Sequence, residues 1–179
     1  MKKVLSVLIL LFISIVFASY CYAETMTIKG KARVVDGDTI EVNGEKIRLL
    51  CIDTPESNYK GKTQYCLDNE TDCGDLAKKA LKEMIGKNEV WCEYEKRDMY
   101  GRILGVCQEY SYWNTYPYWG TYNYNLIYNG YAWYYAGGKE CKPFKEAFEE
   151  AQKEQRGLFD EDIGGFKEPK LWRKKRSND

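Results

Sequence analysis

The sequence predicts an α+β chain, mainly β, with its elements in the order of a small Greek-key barrel of OB type. The prediction rests on three features. Five short runs rich in apolar and β-branched residues are separated by turn signals. A stretch of helical period stands between the third and fourth runs. Further helical segments follow the fifth, giving about three helices in all. Pattern alone supports a meander of strands; it does not by itself close a barrel.

The first extended run is 25–35, with Thr27, Ile28, Ala32, Val34 and Val35. After Asp36-Gly37-Asp38 comes 39–42, and Asn43-Gly44 then marks a hairpin, because both residues accept positive φ. The third run is 46–52. Residues 54–71 are polar and read as a loop. From 72 to 86 the apolar positions Leu76, Ala77, Ala80, Leu81, Met84 and Ile85 form a helical stripe that Gly86 stops. Runs 89–95 and 102–109 are the last two strands, around a turn at 96–101. A short helix is expected at 124–129. An amphipathic one is expected at 143–156, with Phe144, Ala147, Phe148 and Ala151 inward and Gly157 as its stop.

Residues 108–135 hold ten tyrosines, together with Trp113, Trp119 and Trp133, without a repeat. Aromatics could stack nucleic-acid bases at about 1–3 kcal/mol per base. The strand preference of aromatics favours a β-hairpin extension packed on the barrel for the part before Asn125.

The chain opens with Met1-Lys2-Lys3 and an apolar run from Val4 to Ala18, broken only by Ser6 and Ser14. A small-residue exit follows near Cys21-Tyr22-Ala23. These are the parts of a secretory signal peptide at 1–23, followed by a domain at 24–165 and a basic tail at 166–179. The apolar run is short for a membrane anchor, which needs about 20 residues, and bulky Tyr20 disfavours lipidation at Cys21. The expected location is therefore secreted or periplasmic, with membrane contact only through the leader if it stays uncleaved.

Loss of 1–23 removes two lysines and no acids, leaving 25 basic against 27 acidic residues, about −2. Attraction of a polyanion then needs a local patch. Lys167, Lys170, Arg173, Lys174, Lys175 and Arg176 supply one, although a solvated, disordered terminus is the favoured expectation for them. Six cysteines remain beyond Cys21, an even number compatible with disulfides in an exported chain. Cys66 and Cys73 flank a polar loop and are the natural local pair. Cys92 and Cys107 fall on consecutive strands and are placed to pair across them, and Cys51 is expected as a buried thiol.

The chain has no histidine, which excludes histidine-based phosphodiester chemistry and makes a zinc site improbable. Carboxylates gather at two strand ends: Asp36-Gly37-Asp38-Thr39 and Asp53-Thr54-Pro55-Glu56. A hard cation such as Ca²⁺ takes carboxylate and carbonyl oxygens of this kind. Arg48 stands in an apolar strand, where an inward guanidinium needs a partner. Arg102 follows the turn Asp98-Met99-Tyr100-Gly101. Arginine forks match phosphate oxygens.

Val34-Val35-Asp36-Gly37-Asp38-Thr39, then Arg48-Leu49-Leu50-Cys51-Ile52-Asp53-Thr54-Pro55-Glu56, then Asp98-Met99-Tyr100-Gly101-Arg102, in that order, resemble the staphylococcal (thermonuclease) nuclease family. The resemblance runs from about Lys29 to Phe159 and includes Glu150-Ala151-Gln152-Lys153 and Gly157-Leu158-Phe159. It implies closure of the five strands into an OB-fold barrel, and a Ca²⁺-dependent endonuclease acting on DNA or RNA with little sequence selectivity. By resemblance, Asp38 and Asp53 are Ca²⁺ ligands with the carbonyl of Thr54, and Asp36 is an acid just outside them. Glu56 is the general base, Arg48 and Arg102 bind the scissile phosphate, and Tyr100 touches substrate. Tyr134 or Tyr135, within Tyr131-Ala132-Trp133-Tyr134-Tyr135-Ala136-Gly137-Gly138, takes the family's stacking role. Met99 stands where a lysine is frequent, and 108–124 and the Cys66–Cys73 loop are additions. No stable protein partner is implied.

Two rivals are weaker. Asp36-Gly37-Asp38-Thr39 also resembles the Asp-x-Asp-x-Thr nucleophile of haloacid-dehalogenase-type phosphatases, but that fold needs parallel crossovers, and here a hairpin follows within five residues. A non-catalytic OB-fold nucleic-acid-binding module would be expected to lack one or more of Arg48, Glu56 and Arg102, and all are present.

Overall fold

The computed structural model describes residues 25–112, 118–136 and 141–177 of the 179. The expected leader at 1–23, Trp113 and Tyr116 of the aromatic stretch, and Gly137-Gly138 lie outside the described residues. Strands β1 (Met26–Asp36), β2 (Thr39–Val42), β3 (Glu45–Leu49), β5 (Glu89–Arg97) and β6 (Ile103–Glu109) close a barrel in the order β1-β2-β3-β6-β5. The β5–β1 pairing is antiparallel and shuts the cylinder, and β3–β6 is its parallel pair. Strands β4 (Ile52–Asp53) and β7 (Trp133–Tyr134) form a small separate sheet. The α+β, mainly β barrel expected from sequence is the fold observed.

Alternation along β3 decides what faces the cleft. Ile47 and Leu49 are buried in the barrel core beside Ile103, while Arg48 and its register partner Leu104 point outward. The expected third strand is cut in two. Cys51 adopts φ +70, a conformation that disfavours side-chain-bearing residues and ends the pleat, so that Ile52-Asp53 turns away to pair with Trp133-Tyr134. Cys51 is also not a free thiol: it is joined to Cys141, across 90 residues, which ties this corner to the third helix. Cys66–Cys73 and Cys92–Cys107 are the other bridges, as the sequence suggested.

Helix α1 (Cys73–Ile85) starts where the Asp72 carboxylate accepts the Asp75 N–H at 2.7 Å and ends at Gly86, with φ 56. It buries Ala77, Ala80, Leu81 and Ile85. The aromatic stretch shows no hairpin among its described residues. Single 3₁₀ turns occur at Tyr110–Tyr112 and Tyr118–Gly120, and α2 (Tyr122–Tyr128) then begins two residues earlier than expected, capped by Thr121. Buried Asn123 explains the early start. Its side chain accepts the Cys107 N–H at 2.9 Å and donates to the carbonyls of Leu50 and Gly105, so the helix must open against the barrel wall. Helix α3 (Lys142–Lys153) buries Phe144, Ala147, Phe148 and Ala151, the face read from sequence.

The basic C-terminus departs most from expectation. It is not a solvated tail but a fourth helix, α4 (Pro169–Arg176), packed on the domain. Trp172 is buried and meets the Tyr59 ring edge-on at 6.2 Å, and Phe166 joins a core cluster with Cys66, Cys73, Ala77 and Leu158. Gln64 donates its side-chain amide to the Lys167 carbonyl at 2.6 Å. Among the described residues no helix is long and apolar enough to cross a membrane.

Candidate active site

The site is built where β1 turns into β2 and where β4 leaves the barrel. In the first turn Asp36 Oδ1 accepts the N–H groups of Gly37 at 2.8 Å and Ser57 at 3.3 Å, linking the two acidic segments through backbone. Gly37 permits their approach, since a Cβ there would stand 2.6 Å from Thr54 Oγ1 and 3.1 Å from the Ala77 methyl. Asp38 and Asp53 are almost fully buried, and Arg48 joins them: its guanidinium bonds Asp38 Oδ2 and, at 2.6 Å, Asp53 Oδ1. The second oxygen of Asp38 takes the Thr39 hydroxyl at 2.8 Å. Burial alone would pull the Arg48 guanidinium down. Asp38 and Asp53 more than offset this and hold it firmly charged.

Glu56 lies on the exit from β4. Its carbonyl accepts the Gln64 N–H at 2.8 Å, and its backbone packs so tightly on α1 that a Cβ at Gly74 would fall 2.1 Å from that oxygen. Burial pushes the Glu56 carboxyl above the usual range, against the opposing pull of Arg173. Burial, with Asp38 nearby, likewise pushes Asp36 up. On the facing turn, Asp98 accepts the N–H groups of Tyr100 and Arg102, both at 2.9 Å, and the Arg102 Nε at 2.8 Å. This fixes Arg102 at the start of β6 with its guanidinium 5.7 Å from the Tyr100 ring centre.

Arg48, Glu56, Tyr100, Arg102, Tyr135 and Arg173 line one cleft of about 910 Å³. Asp38 and Asp53 lie behind Arg48, and Thr54 is buried beside Gly37. Of the two tyrosines that sequence left open, Tyr135 lines the cleft; Tyr134 lies on β7 opposite Ile52 and does not. Exposed Tyr100 and Met99 stand at the rim.

The reading from sequence named Arg173 and Lys170 only as part of a basic patch at the C-terminus, not as site residues, and did not name Tyr59. Arg173 is central: it bonds Glu56 Oε1 through one amino group and, at 2.7 Å, Asp53 Oδ2 through the other. A signal was present in Glu168-Pro169-Lys170-Leu171-Trp172, where proline opens a helix and tryptophan supplies an apolar anchor within a basic run.

The donors here are all oxygen, which suits a hard divalent cation rather than zinc. Among the described residues no three acidic or cysteine side chains form a metal cluster on their own. Asp38 and Asp53 would therefore need the Thr54 carbonyl and water to complete a coordination shell.

Fold and cleft together define an OB-fold barrel domain with carboxylates and arginines gathered on one side. Residues 46–161 match the family described as Staphylococcal nuclease homologue, and the chain belongs to that family. It is similar to the succinoglycan biosynthesis protein ExoI of Rhizobium meliloti (strain 1021), at 39% identity over 44% of this chain and 40% of that protein. It is similar to Endonuclease YhcR of Bacillus subtilis (strain 168), at 31% identity over 72% of this chain and 11% of that one. An uncharacterized endonuclease of Escherichia coli matches at 30% identity over 71% of this chain and 73% of its own length. The chain thus spans less than half of the first two relatives. Asp36 and Asp38 precede the family match, and α4 with Arg173 follows it.

Proposed function

We propose that this chain is an exported, Ca²⁺-dependent endonuclease that hydrolyses phosphodiester bonds of DNA or RNA with little sequence selectivity. The observation that carries the reading is the Arg48 fork joining Asp38 and Asp53 at the back of a cleft that also holds Glu56 and Arg102. Family membership and the endonuclease names of two relatives support it.

Asp38 and Asp53, with the Thr54 carbonyl, would hold the cation, and Asp36 braces their turn. When bound, such a cation supplies positive charge against phosphate oxygens and acidifies a water. Glu56 accepts the proton of the attacking water; its raised affinity for protons suits a base of this kind. Arg48 and Arg102 donate to the non-bridging oxygens as negative charge collects on them. Tyr100 and Tyr135 flank the strand. Every group addresses the backbone and none a base edge, so selectivity for sequence is low. Export rests on the leader at 1–23 and on the three disulfides.

Degradation of single-stranded DNA by the wild-type protein, with Ca²⁺ and with chelator, tests the activity. Cutting that persists with chelator present overturns the metal assignment. Binding without cutting in either condition overturns the enzyme. Mass spectrometry of the protein secreted by its host checks export: a mature chain starting near Glu24 is expected, and an intact Met1 contradicts it.

A further inference from the structure

Asp53 and Glu56 are both engaged by one side chain from outside the family match. Arg173 reaches from α4 and bridges the two carboxylates, with 23% of its side chain exposed against 1% for that of Asp53. The pairing is not the chance fold-back of a loose end. Trp172, next to Arg173 in sequence, is buried against Tyr59; the Tyr59 hydroxyl meets Ser177 Oγ at 3.2 Å; and Gln64 holds the Lys167 carbonyl. The helix is therefore clamped at both ends, and the clamp aims Arg173 into the cleft. Lys170 and Lys174 line the cleft from the same helix.

We propose that Arg173 is a built-in counter-cation, and that α4 is a closing element that competes with the divalent cation for the Asp53 carboxylate while it occupies the Glu56 carboxylate. This rests on the metal reading of Asp38 and Asp53 given above. Two cationic charges a few ångströms apart repel, and Asp53 Oδ2, which accepts from Arg173, cannot be shared freely between a guanidinium and a cation. In the closed arrangement Glu56 is spent on Arg173 and is not free to take a proton. Opening withdraws Arg173, which frees Glu56 and leaves Asp53 held through Oδ1 by Arg48. The apparent affinity for the cation is then reduced by the fraction of molecules that are open. A polyanionic strand favours opening, because it offers phosphates to Lys170, Arg173 and Lys174 in exchange for the carboxylates.

The test is Ca²⁺ binding by calorimetry without nucleic acid, on the full mature chain, for wild type, Arg173→Gln, Trp172→Ala and the control Asp38→Asn. Arg173→Gln is expected to bind Ca²⁺ about tenfold tighter than wild type, the effect of releasing a state closed in roughly nine molecules of ten. Trp172→Ala, which keeps the arginine but loosens its clamp, is expected to move the same way. Ca²⁺ added to wild type is expected to speed amide exchange across Pro169–Arg176. Unchanged or weaker binding in Arg173→Gln, with binding abolished in Asp38→Asn, overturns the counter-cation and leaves the metal site standing. No binding in any form overturns the metal reading and the competition with it.

Discussion

Arg48 carries two burdens, and they can be separated. It neutralises Asp38 and Asp53, whose side chains are almost closed to solvent, and in the proposed reaction it meets phosphate. Arg48→Met strands Asp38 as a buried charge, a change that costs roughly 3–5 kcal/mol, and urea unfolding should show a loss of that order. Arg48→Lys keeps the charge but not the fork. It is expected to unfold near the wild-type midpoint while cleaving far more slowly. Asp98 is a cleaner electrostatic case. Burial pushes its carboxyl up, but the Arg102 side chain and two backbone N–H groups prevail and hold it below its ordinary value of 3.8. A carboxyl depressed on folding adds stability above its unfolded pKa and loses it as pH falls through the folded one. Asp98→Asn should therefore be less stable than wild type at neutral pH, with the gap closing below about pH 3 in a pH series of thermal melts. Most site residues were legible because residue type and spacing are sequence properties: Asp38, Asp53, Glu56, Arg48 and Arg102 all reach one site. Tyr134 and Tyr135 were not separable, since a one-residue change of register reverses which faces the cleft, and only the pairing of Ile52 with Tyr134 decides it.

Elements hold the site through close approach. Helix α1 touches the Glu56 backbone at Gly74, where a methyl group would overlap the carbonyl. Gly74→Ala is expected to push the Glu56 loop off α1, cutting activity at least tenfold with a stability loss of about 1–3 kcal/mol, as for overpacked positions. Activity assays beside denaturant melts would show both. The Cys51–Cys141 bridge closes the longest loop. Replacing both cysteines by serine is expected to cost up to about 4–5 kcal/mol in the chain-entropy account, read from the same melts. Helices α1 and α3 and the barrel strands were legible from periodicity, because each buries one face. The split of the third strand was not: it lies at a positive φ on Cys51, and the pairing of Ile52-Asp53 with Trp133-Tyr134 is about 80 residues away in sequence. Nor was α4 foreseen. Its helix is short and strongly charged, so the tertiary anchor at Trp172, rather than local propensity, accounts for it.

At the scale of the whole molecule, 27 basic and 27 acidic residues leave no net field to draw in a polyanion. The positive charge is local: Arg48, Arg102, Lys170, Arg173 and Lys174 line one cleft. Binding of single-stranded DNA by Glu56→Gln should then fall with salt at a log–log slope of about −3, as four or five phosphate contacts require. A slope near zero would place binding elsewhere. The barrel turns and α4 converge on that cleft, where the proposed reaction cuts a phosphodiester with Glu56 as base. Cleavage of single-stranded DNA in Ca²⁺ by wild type and by Glu56→Gln, at matched binding, decides the role of Glu56. With both proteins saturated by DNA, Glu56→Gln is expected to cut at least about a hundredfold more slowly than wild type, the usual worth of a positioned base. Equal rates would contradict it.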